Sequence, residues 1–142
     1  MNNKKILIVE DEEVIRKVLR TTLNKWGFQV GEAEDGVQGL RRLQEERYDL
    51  IICDILMPNM DGWDLIKEVR RNSSTLDMPI IALTGKNKDA DMFKGYESGV
   101  NYYMTKPFTK AQLRYGLQLV LADSAEGVSE VDVSKQVEIE ES

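Results

Sequence analysis

The chain has 142 residues, a length that fits one domain with a real hydrophobic core. Apolar residues make up 42% and charged residues 31%, the balance of an ordinary globular protein. The net charge of -6 comes from residues 123–142, so residues 1–122 are balanced and lack the basic excess typical of nucleic-acid binding. Histidine is absent, which excludes Ser-His-Asp triads, His-based zinc sites and a role as phosphohistidine carrier.

No apolar run approaches the roughly 20 residues that a membrane-spanning helix needs. The apolar run before Glu10 has only four residues, fewer than the about 7–15 of a secretory signal. We therefore expect a cytoplasmic protein without membrane contact. In a reducing cytoplasm the single Cys53 has no internal disulfide partner, and we expect it to be a small core residue.

Short apolar runs alternate with amphipathic stretches along the chain. The apolar runs predict five strands, at residues 4–9, 28–33, 49–53, 79–83 and 101–104. Apolar stripes at helical spacing predict five helices, at residues 12–26, 36–46, 61–71, 88–98 and from about Thr109. Thr109 and Gln112 have the spacing of a capping box, which supports a helix start there.

Alternation of strands and helices predicts an α/β fold. We expect a five-stranded parallel sheet, doubly wound and flavodoxin-like with strand order 2-1-3-4-5, covered by five helices. Such a sheet binds its ligand at the carboxyl ends of its strands, beside the switch in strand order. The ends of the first and third strands are therefore the place to look for a site.

Polar side chains follow four of the predicted strands. They are Glu10 and Asp11 after the first, Asp54 after the third, Thr84 with Gly85 after the fourth, and Lys106 after the fifth. Each feature alone is common at helix starts, turns and surfaces. Their shared position at strand ends predicts one site.

The residue types at this rim suit phosphoryl transfer. Three clustered carboxylates repel one another, and Mg²⁺ is a natural compensation because it prefers a few carboxylates, water and a phosphate oxygen. A carboxylate is also a nucleophile that forms an aspartyl-phosphate. Lys106 would offset the charge of the phosphoryl group, while Thr84 and the Gly85 N–H would donate hydrogen bonds to it.

Taken together, these motifs resemble the receiver domains of bacterial two-component response regulators, of which the chemotaxis regulator is the simplest. The similarity covers residues 4–122. Its motifs are Ile8-Val9-Glu10-Asp11-Glu12, Ile52-Cys53-Asp54-Ile55-Leu56-Met57-Pro58, Met60-Asp61-Gly62, Leu83-Thr84-Gly85 and Lys106-Pro107-Phe108. Each motif is weak alone, but the ordered set at these strand ends is highly specific.

The resemblance implies a phosphoacceptor and a set of metal ligands. Asp54 matches the phosphoacceptor. Asp11 matches the acid that binds Mg²⁺ directly, and Glu10 matches the acid that usually acts through water. Asp54 itself and the backbone carbonyl of Leu56 complete the implied ligand set.

It also implies residues that bind phosphate and transmit the signal. Lys106 matches the phosphate-contacting lysine, whose bond to Pro107 is cis in the family. Thr84 matches the switch hydroxyl, and Tyr103 the aromatic side chain that turns inward when Thr84 moves. Gly85 stands where the family often has alanine, a change that keeps the N–H donor.

The function implied is a phosphorylation-dependent signalling switch of a two-component phosphorelay. A histidine kinase or histidine phosphotransfer protein would phosphorylate Asp54. The phosphoryl group would then remodel the face made by the fourth helix, fifth strand and fifth helix, residues 86–122, and control binding of a downstream protein. We expect no enzymatic activity beyond autocatalytic phosphoryl transfer and autodephosphorylation, and a homodimer through the same face stays open.

Residues 123–142 are expected to be an acidic tail or linker that follows a receiver domain at 1–122. The alternation around Val137 and Ile139 would also suit an edge strand or docking segment. Both a stand-alone regulator and the receiver part of a longer protein fit the sequence.

Three other functions fit less well. A phosphatase that forms an aspartyl-phosphate usually has a second acid two residues after the nucleophile, where this chain has Leu56. A flavin or nucleotide binder on a similar sheet would carry a Gly-rich fingerprint or a Walker loop, and the sequence has neither. A degenerate receiver that acts only as a scaffold would lack part of the site, whereas the set here is complete.

Overall fold

Five strands and four helices make up residues 4–57, 59–85 and 99–121, the part of the chain that the computed structural model describes. The strands are β1 (Lys5–Val9), β2 (Gln29–Ala33), β3 (Leu50–Asp54), β4 (Ile80–Thr84) and β5 (Tyr102–Thr105). The helices are α1 (Glu13–Lys25), α2 (Gly36–Glu45), α3 (Gly62–Arg71) and α4 (Lys110–Leu121). Over this part of the chain, no helix has the length and apolar character that crossing a membrane requires.

Most predicted elements are found within one residue of their expected bounds. The last predicted helix is α4, and the predicted capping box is present: the Gln112 N–H donates to Thr109 Oγ1 at 3.0 Å and the Thr109 N–H donates to Gln112 Oε1 at 2.9 Å. The helix predicted at 88–98 and the tail at 123–142 lie outside the described residues, as does Pro58.

All neighbouring strands of the sheet are parallel, in the order β2-β1-β3-β4-β5, which confirms the predicted topology. The register brings the carboxyl ends of the strands level with one another. Val9, the last residue of β1, pairs with Cys53, the residue before the end of β3, and Thr84 pairs with Thr105 at the ends of β4 and β5. One edge of the sheet therefore collects whatever side chains follow these strands.

Side chains on the two faces of the sheet form two hydrophobic cores. The core beneath α2 and α3 includes Leu7, Val9, Ile51, Cys53, Leu65, Ile66 and Val69. The core beneath α1 and α4 includes Ile6, Ile8, Leu50, Ile52, Leu19, Leu23, Leu113 and Leu117. Each fully buried Leu or Ile contributes about 1.5–3 kcal/mol by leaving water. Burial on both faces explains why the strands appear in the sequence as continuous apolar runs.

Arg70, in the last turn of α3, ties that helix to the segments on either side of β4. Its guanidinium donates to the carbonyl oxygens of Leu76 at 2.8 Å and Met78 at 2.7 Å. It also donates to the Gly99 carbonyl at 2.7 Å and to Asn101 Oδ1 at 2.9 Å. The planar group satisfies backbone carbonyls from two separate loops, which fixes the approach to β5.

Candidate functional site

The backbone ladder of the sheet extends just past the strand ends and places the rim residues. The Glu10 N–H donates to the Ala33 carbonyl at 3.0 Å, which continues the pairing of β1 with β2. The Lys106 N–H donates to the Thr84 carbonyl at 2.7 Å, which continues the pairing of β4 with β5. These residues are therefore held by regular sheet geometry although they stand outside the strands.

Three carboxylates meet at this rim, as the sequence predicts. Glu10 is fully buried, Asp54 is 4% exposed and Asp11 is exposed. Carboxylate oxygens of the three residues lie within 4.8 Å of one another. The cluster therefore combines two buried carboxylates, of Glu10 and Asp54, with the exposed carboxylate of Asp11, so a small ion can reach it from solvent.

Lys106 supplies positive charge to the cluster. Its Nζ lies 3.1 Å from Asp54 Oδ2 and 3.1 Å from Glu10 Oε1. Burial of the ammonium group lowers its pKa, but the charges of Asp54 and Glu10 outweigh that effect and the pKa of Lys106 is raised overall. Lys106 therefore stays protonated. The peptide bond between Lys106 and Pro107 is cis, as the resemblance implied.

The two buried carboxyl groups hold their protons more tightly than usual. Burial raises the pKa of Glu10 to about 7, and the charge of Asp54 adds to this rise. Two groups oppose it: the Glu12 N–H, which donates to Glu10 Oε2 at 3.0 Å, and the Lys106 ammonium. Burial also raises the pKa of Asp54, against the attraction of Lys106 and with repulsion from Asp11. One ammonium group thus leaves the negative charge of the cluster only partly compensated.

A divalent cation fits this arrangement. Glu10 Oε1 is buried and accepts no hydrogen bond within the described residues, because its contact with Lys106 Nζ lies outside hydrogen-bond geometry. An all-oxygen, carboxylate-rich group that is open on one side is the environment that Mg²⁺ prefers. The donor set of Glu10, Asp11 and Asp54 is therefore chemically suited to magnesium.

Thr84 and Gly85 border the cluster at the end of β4. Thr84 is 2% exposed, and its Oγ1 has no hydrogen-bond partner among the described residues. Gly85 follows it directly and is half-buried. A buried hydroxyl without a partner costs free energy, so this group is available for an acceptor that enters the site.

Two other predicted residues lie in β5 and in the loop after β3. Tyr103 is in β5 opposite Ala82 of β4, and its half-buried ring packs against the core beneath α2 and α3. Leu56 follows β3 by two residues, its side chain is 56% exposed, and its N–H lies 3.4 Å from Asp54 Oδ1. The structure thus brings Glu10, Asp11, Asp54 and Lys106 together. Tyr103 lies two residues before the carboxyl end of β5.

Cys53 precedes Asp54 and is fully buried in the core beneath α2 and α3. Burial raises the pKa of its thiol, with further contributions from nearby carboxylates. Its Sγ donates to the Asp54 carbonyl at 3.2 Å. The residue therefore behaves as a small core side chain, as expected from the sequence.

Two residues have a positional role that the sequence analysis did not assign to them. A Cβ on Gly62 would lie 2.4 Å from the Asp54 carbonyl oxygen. Only glycine at position 62 therefore lets α3 begin so close to Asp54. Arg16 donates to the Glu10 carbonyl at 2.7 Å and pairs with Glu32 at 3.2 Å. A polar residue near the apolar stripe of α1 was the available signal for Arg16, whereas Gly62 was marked only as part of the motif Met60-Asp61-Gly62.

Comparison with known proteins gives a single family. Residues 6–118 match the model of the response regulator receiver domain. The alkaline phosphatase synthesis transcriptional regulatory protein PhoP of Bacillus subtilis is 38% identical over 122 residues, which are 86% of this chain and 50% of that protein. The chain thus spans about half the length of the curated relatives that it matches.

Solved structures agree with that family. The chemotaxis protein CheY4 of Vibrio cholerae is 36% identical with a TM-score of 0.79, covering 83% of this chain and 98% of that one. The receiver domain of the sensor histidine kinase PA1611 from Pseudomonas aeruginosa is 34% identical with a TM-score of 0.78, covering 84% of this chain and 98% of that one. That structure has a magnesium ion coordinated in its active-site cleft.

Proposed function

Because this chain belongs to the response regulator receiver domain family, whose members are signalling domains rather than classical enzymes, we propose that it is a phosphorylation-dependent switch of a two-component phosphorelay with Asp54 as the phosphoacceptor. One observation carries the proposal: Asp54 lies at the end of β3 with Lys106 Nζ 3.1 Å away and two further carboxylates beside it. This arrangement combines a nucleophilic oxygen, a fixed cation and a site for a second cation.

Mg²⁺ is the proposed cofactor. The carboxylates of Glu10, Asp11 and Asp54, together with the backbone carbonyl of Leu56, would hold it. When bound, the ion would neutralise carboxylate charge and draw electron density from phosphoryl oxygens. Support comes from the donor set itself and from the buried Oε1 of Glu10, which accepts no hydrogen bond within the described residues.

The proposed phosphodonor is a phosphohistidine of a histidine kinase or a histidine phosphotransfer protein. An Asp54 carboxylate oxygen forms a bond to phosphorus while the bond from phosphorus to the imidazole nitrogen breaks, and the electron pair of that bond returns to the ring. Lys106 offsets the charge on the transferred group. Autodephosphorylation is the attack of water on the same phosphorus, which releases phosphate and restores the carboxylate.

The proposed response begins at the Thr84 hydroxyl. Thr84 Oγ1 and the Gly85 N–H donate hydrogen bonds to the phosphoryl oxygens, and Tyr103 turns inward as Thr84 moves. The phosphoryl group thereby shifts an existing equilibrium between two conformations of the face at residues 86–122. A downstream protein, or a second copy of the chain, binds the favoured conformation.

The remaining proposals concern the whole chain. We assign residues 1–122 to the receiver domain, residues 123–142 to an acidic tail or linker, and the cytoplasm as the place of phosphoryl transfer. Relatives such as PhoP are named transcriptional regulators, so control of transcription through a partner or a further domain is a second candidate output.

Intact-protein mass spectrometry tests the proposed chemistry. Wild-type protein and Asp54→Asn are incubated with acetyl phosphate, with and without Mg²⁺. We expect one phosphoryl adduct on the wild type, only with Mg²⁺, and no adduct on the variant. An unmodified wild type, even with a cognate kinase supplied, would contradict the proposal and leave a receiver-shaped binding scaffold.

A further inference from the structure

The loop between β3 and α3, described at residues 55–57 and 59–61, is fastened to the start of α2. Asn59 Nδ2 donates to Asp35 Oδ2 at 2.7 Å. The other carboxylate oxygen of Asp35, Oδ1, accepts from the Gln38 N–H at 2.8 Å and caps α2. A single carboxylate therefore holds both the first turn of a helix and the middle of a loop.

Backbone contact accompanies this side-chain bond. The Gly36 N–H donates to the Met60 carbonyl at 3.3 Å. A Cβ on Gly36 would lie 2.6 Å from that same carbonyl oxygen, so the loop and the helix touch as closely as glycine allows. The hydrogen bond between Asn59 and Asp35, at 2.7 Å, is shorter than the backbone hydrogen bond between Gly36 and Met60.

Asn59 has a left-handed backbone, with φ of 70°. Asparagine adopts this region more readily than other residues with a Cβ, but still less readily than glycine. The conformation is therefore maintained by its surroundings, and the bond to Asp35 is the contact that the Asn59 side chain makes with another element.

Leu56 lies in the same loop, three positions before Asn59. Its side chain is 56% exposed, and its N–H reaches Asp54 Oδ1 only at 3.4 Å. The base of the loop is closed by the Gly62 N–H, which donates to the Ile55 carbonyl at 2.7 Å. Among the described residues, the Leu56 backbone thus lies between the closed base and the contacts that Asn59 and Met60 make with the start of α2.

We propose that Asp35 and Asn59 are positioning residues for magnesium: their hydrogen bond fixes the loop that carries the Leu56 carbonyl, and so sets the affinity of the site for Mg²⁺. The inference rests on the proposed function, because it takes that carbonyl as a ligand. Neither side chain touches the metal, and each acts through the loop backbone.

Mg²⁺ titration followed by backbone amide NMR shifts tests the pair without any phosphodonor. Asn59→Gly removes the amide, adds no charge and keeps the left-handed backbone accessible. Asp35→Ser keeps a helix-capping oxygen but is too short to serve both partners. We expect the dissociation constant for Mg²⁺ to rise about tenfold in each variant, the lower end of what loss of an outer partner of a metal ligand costs.

Three further variants make the test specific. Asp35→Asn removes charge but keeps the cap, and its amide can pair with a flipped Asn59, so its Mg²⁺ affinity should stay near that of the wild type. Val120→Ala opens a core cavity near the far end of α4 and should lower stability without changing the affinity. The double variant of Asp35→Ser and Asn59→Gly should bind no more weakly than either single variant, because the pair acts as a unit.

The outcomes separate this inference from the proposed function. Wild-type Mg²⁺ affinity in both single variants, or an additive loss in the double variant, would overturn the role of the pair and leave Asp54 phosphorylation untouched. An affinity loss in Asp35→Asn equal to that in Asp35→Ser would overturn it too, since charge alone would then explain the effect. A wild type that binds no Mg²⁺ would overturn the proposed function itself.

Discussion

Lys106 Nζ stands 3.1 Å from Asp54 Oδ2 and 3.1 Å from Glu10 Oε1, so one ammonium group faces two buried carboxylates. The lysine follows β5, whereas the two acids follow β3 and β1. The order of the sheet places β4 between β3 and β5, so the lysine side chain spans a neighbouring strand end to reach them. This bridge has consequences that can be measured.

Replacement of the lysine by an apolar side chain should slow phosphorylation. In Lys106→Met the charge of the incoming phosphoryl group loses its fixed protein cation, and we expect the rate of adduct formation to fall about 100-fold, as when one preorganised donor is removed from a charged transition state. The measurement is the time course of the acetyl phosphate adduct. Lys110→Met, at an exposed position in the first turn of α4, is the matched control and should react at the wild-type rate.

The buried hydroxyl of Thr84 should cost stability in the unphosphorylated protein. Thr84→Val replaces a hydroxyl that has no hydrogen-bond partner among the described residues by a methyl group of similar shape, and we expect the free energy of unfolding to rise by about 1 kcal/mol. Urea denaturation without Mg²⁺ or phosphodonor measures the change. Thr84→Ser retains the hydroxyl and loses a methyl group, so it should be less stable than the wild type; a Thr84→Val protein less stable than the wild type would contradict the prediction.

Arg70 should be difficult to replace, even by lysine. A lysine ammonium has three donors on a single atom and cannot reproduce the planar contacts to the carbonyls of Leu76, Met78 and Gly99. We expect Arg70→Lys to lower the free energy of unfolding by about 2 kcal/mol, the scale for hydrogen bonds that involve a charged group. Arg71→Lys, next in sequence and part of an exposed pair with Glu68, should change it by less than about 0.5 kcal/mol.

The carboxylate of Asp35 should make stability depend on pH in a defined direction. The Gln38 N–H lowers the pKa of Asp35 below its ordinary 3.8, with help from the Asn59 amide and against the effect of burial. A lowered pKa in the folded state means that the stabilisation is complete above pH 3.8 and disappears as the pH falls through the folded-state pKa. We expect the wild type to be more stable than Asp35→Asn at neutral pH.

Chemical denaturation of both proteins over a series of pH values checks this expectation. The difference between the two free energies of unfolding removes the contributions of all other titrating groups that the proteins share. That difference should shrink as the solution becomes more acidic than pH 3.8. A difference in the free energy of unfolding that stays constant, or grows in acid, would show that the charge of Asp35 does not stabilise α2 and the loop that contains Asn59.

The sequence alone was enough to predict the sheet and most of the rim. The strands of a parallel sheet are buried on both faces, so runs such as Ile6 to Val9 are visible without any structure. The rule that ligands bind at carboxyl ends then selects the acids, Thr84 and Lys106. The resemblance added their separate roles, which spacing does not provide.

Other features depend on distances between elements and leave little trace in the sequence. The carboxylate that Asn59 contacts is 24 positions away, and the carbonyl that Arg70 contacts at Gly99 is 29 positions away. The close approach of Gly62 to the Asp54 carbonyl is likewise visible only in the structure. Such contacts are set by packing, and a pattern of residue types does not specify which polar groups will meet.

The residues that meet at the rim come from nearly the whole length of the described chain. Lys106 and Glu10, whose side chains touch, are separated by 96 positions, and β5 joins the sheet only through β4. The loop-closure entropy of contacts so distant along the chain opposes folding before these contacts can contribute stabilisation, so we expect them to slow folding. During synthesis on the ribosome, the three acids are therefore made long before Lys106, which balances part of their charge. The complete rim forms only after β5 has paired with β4.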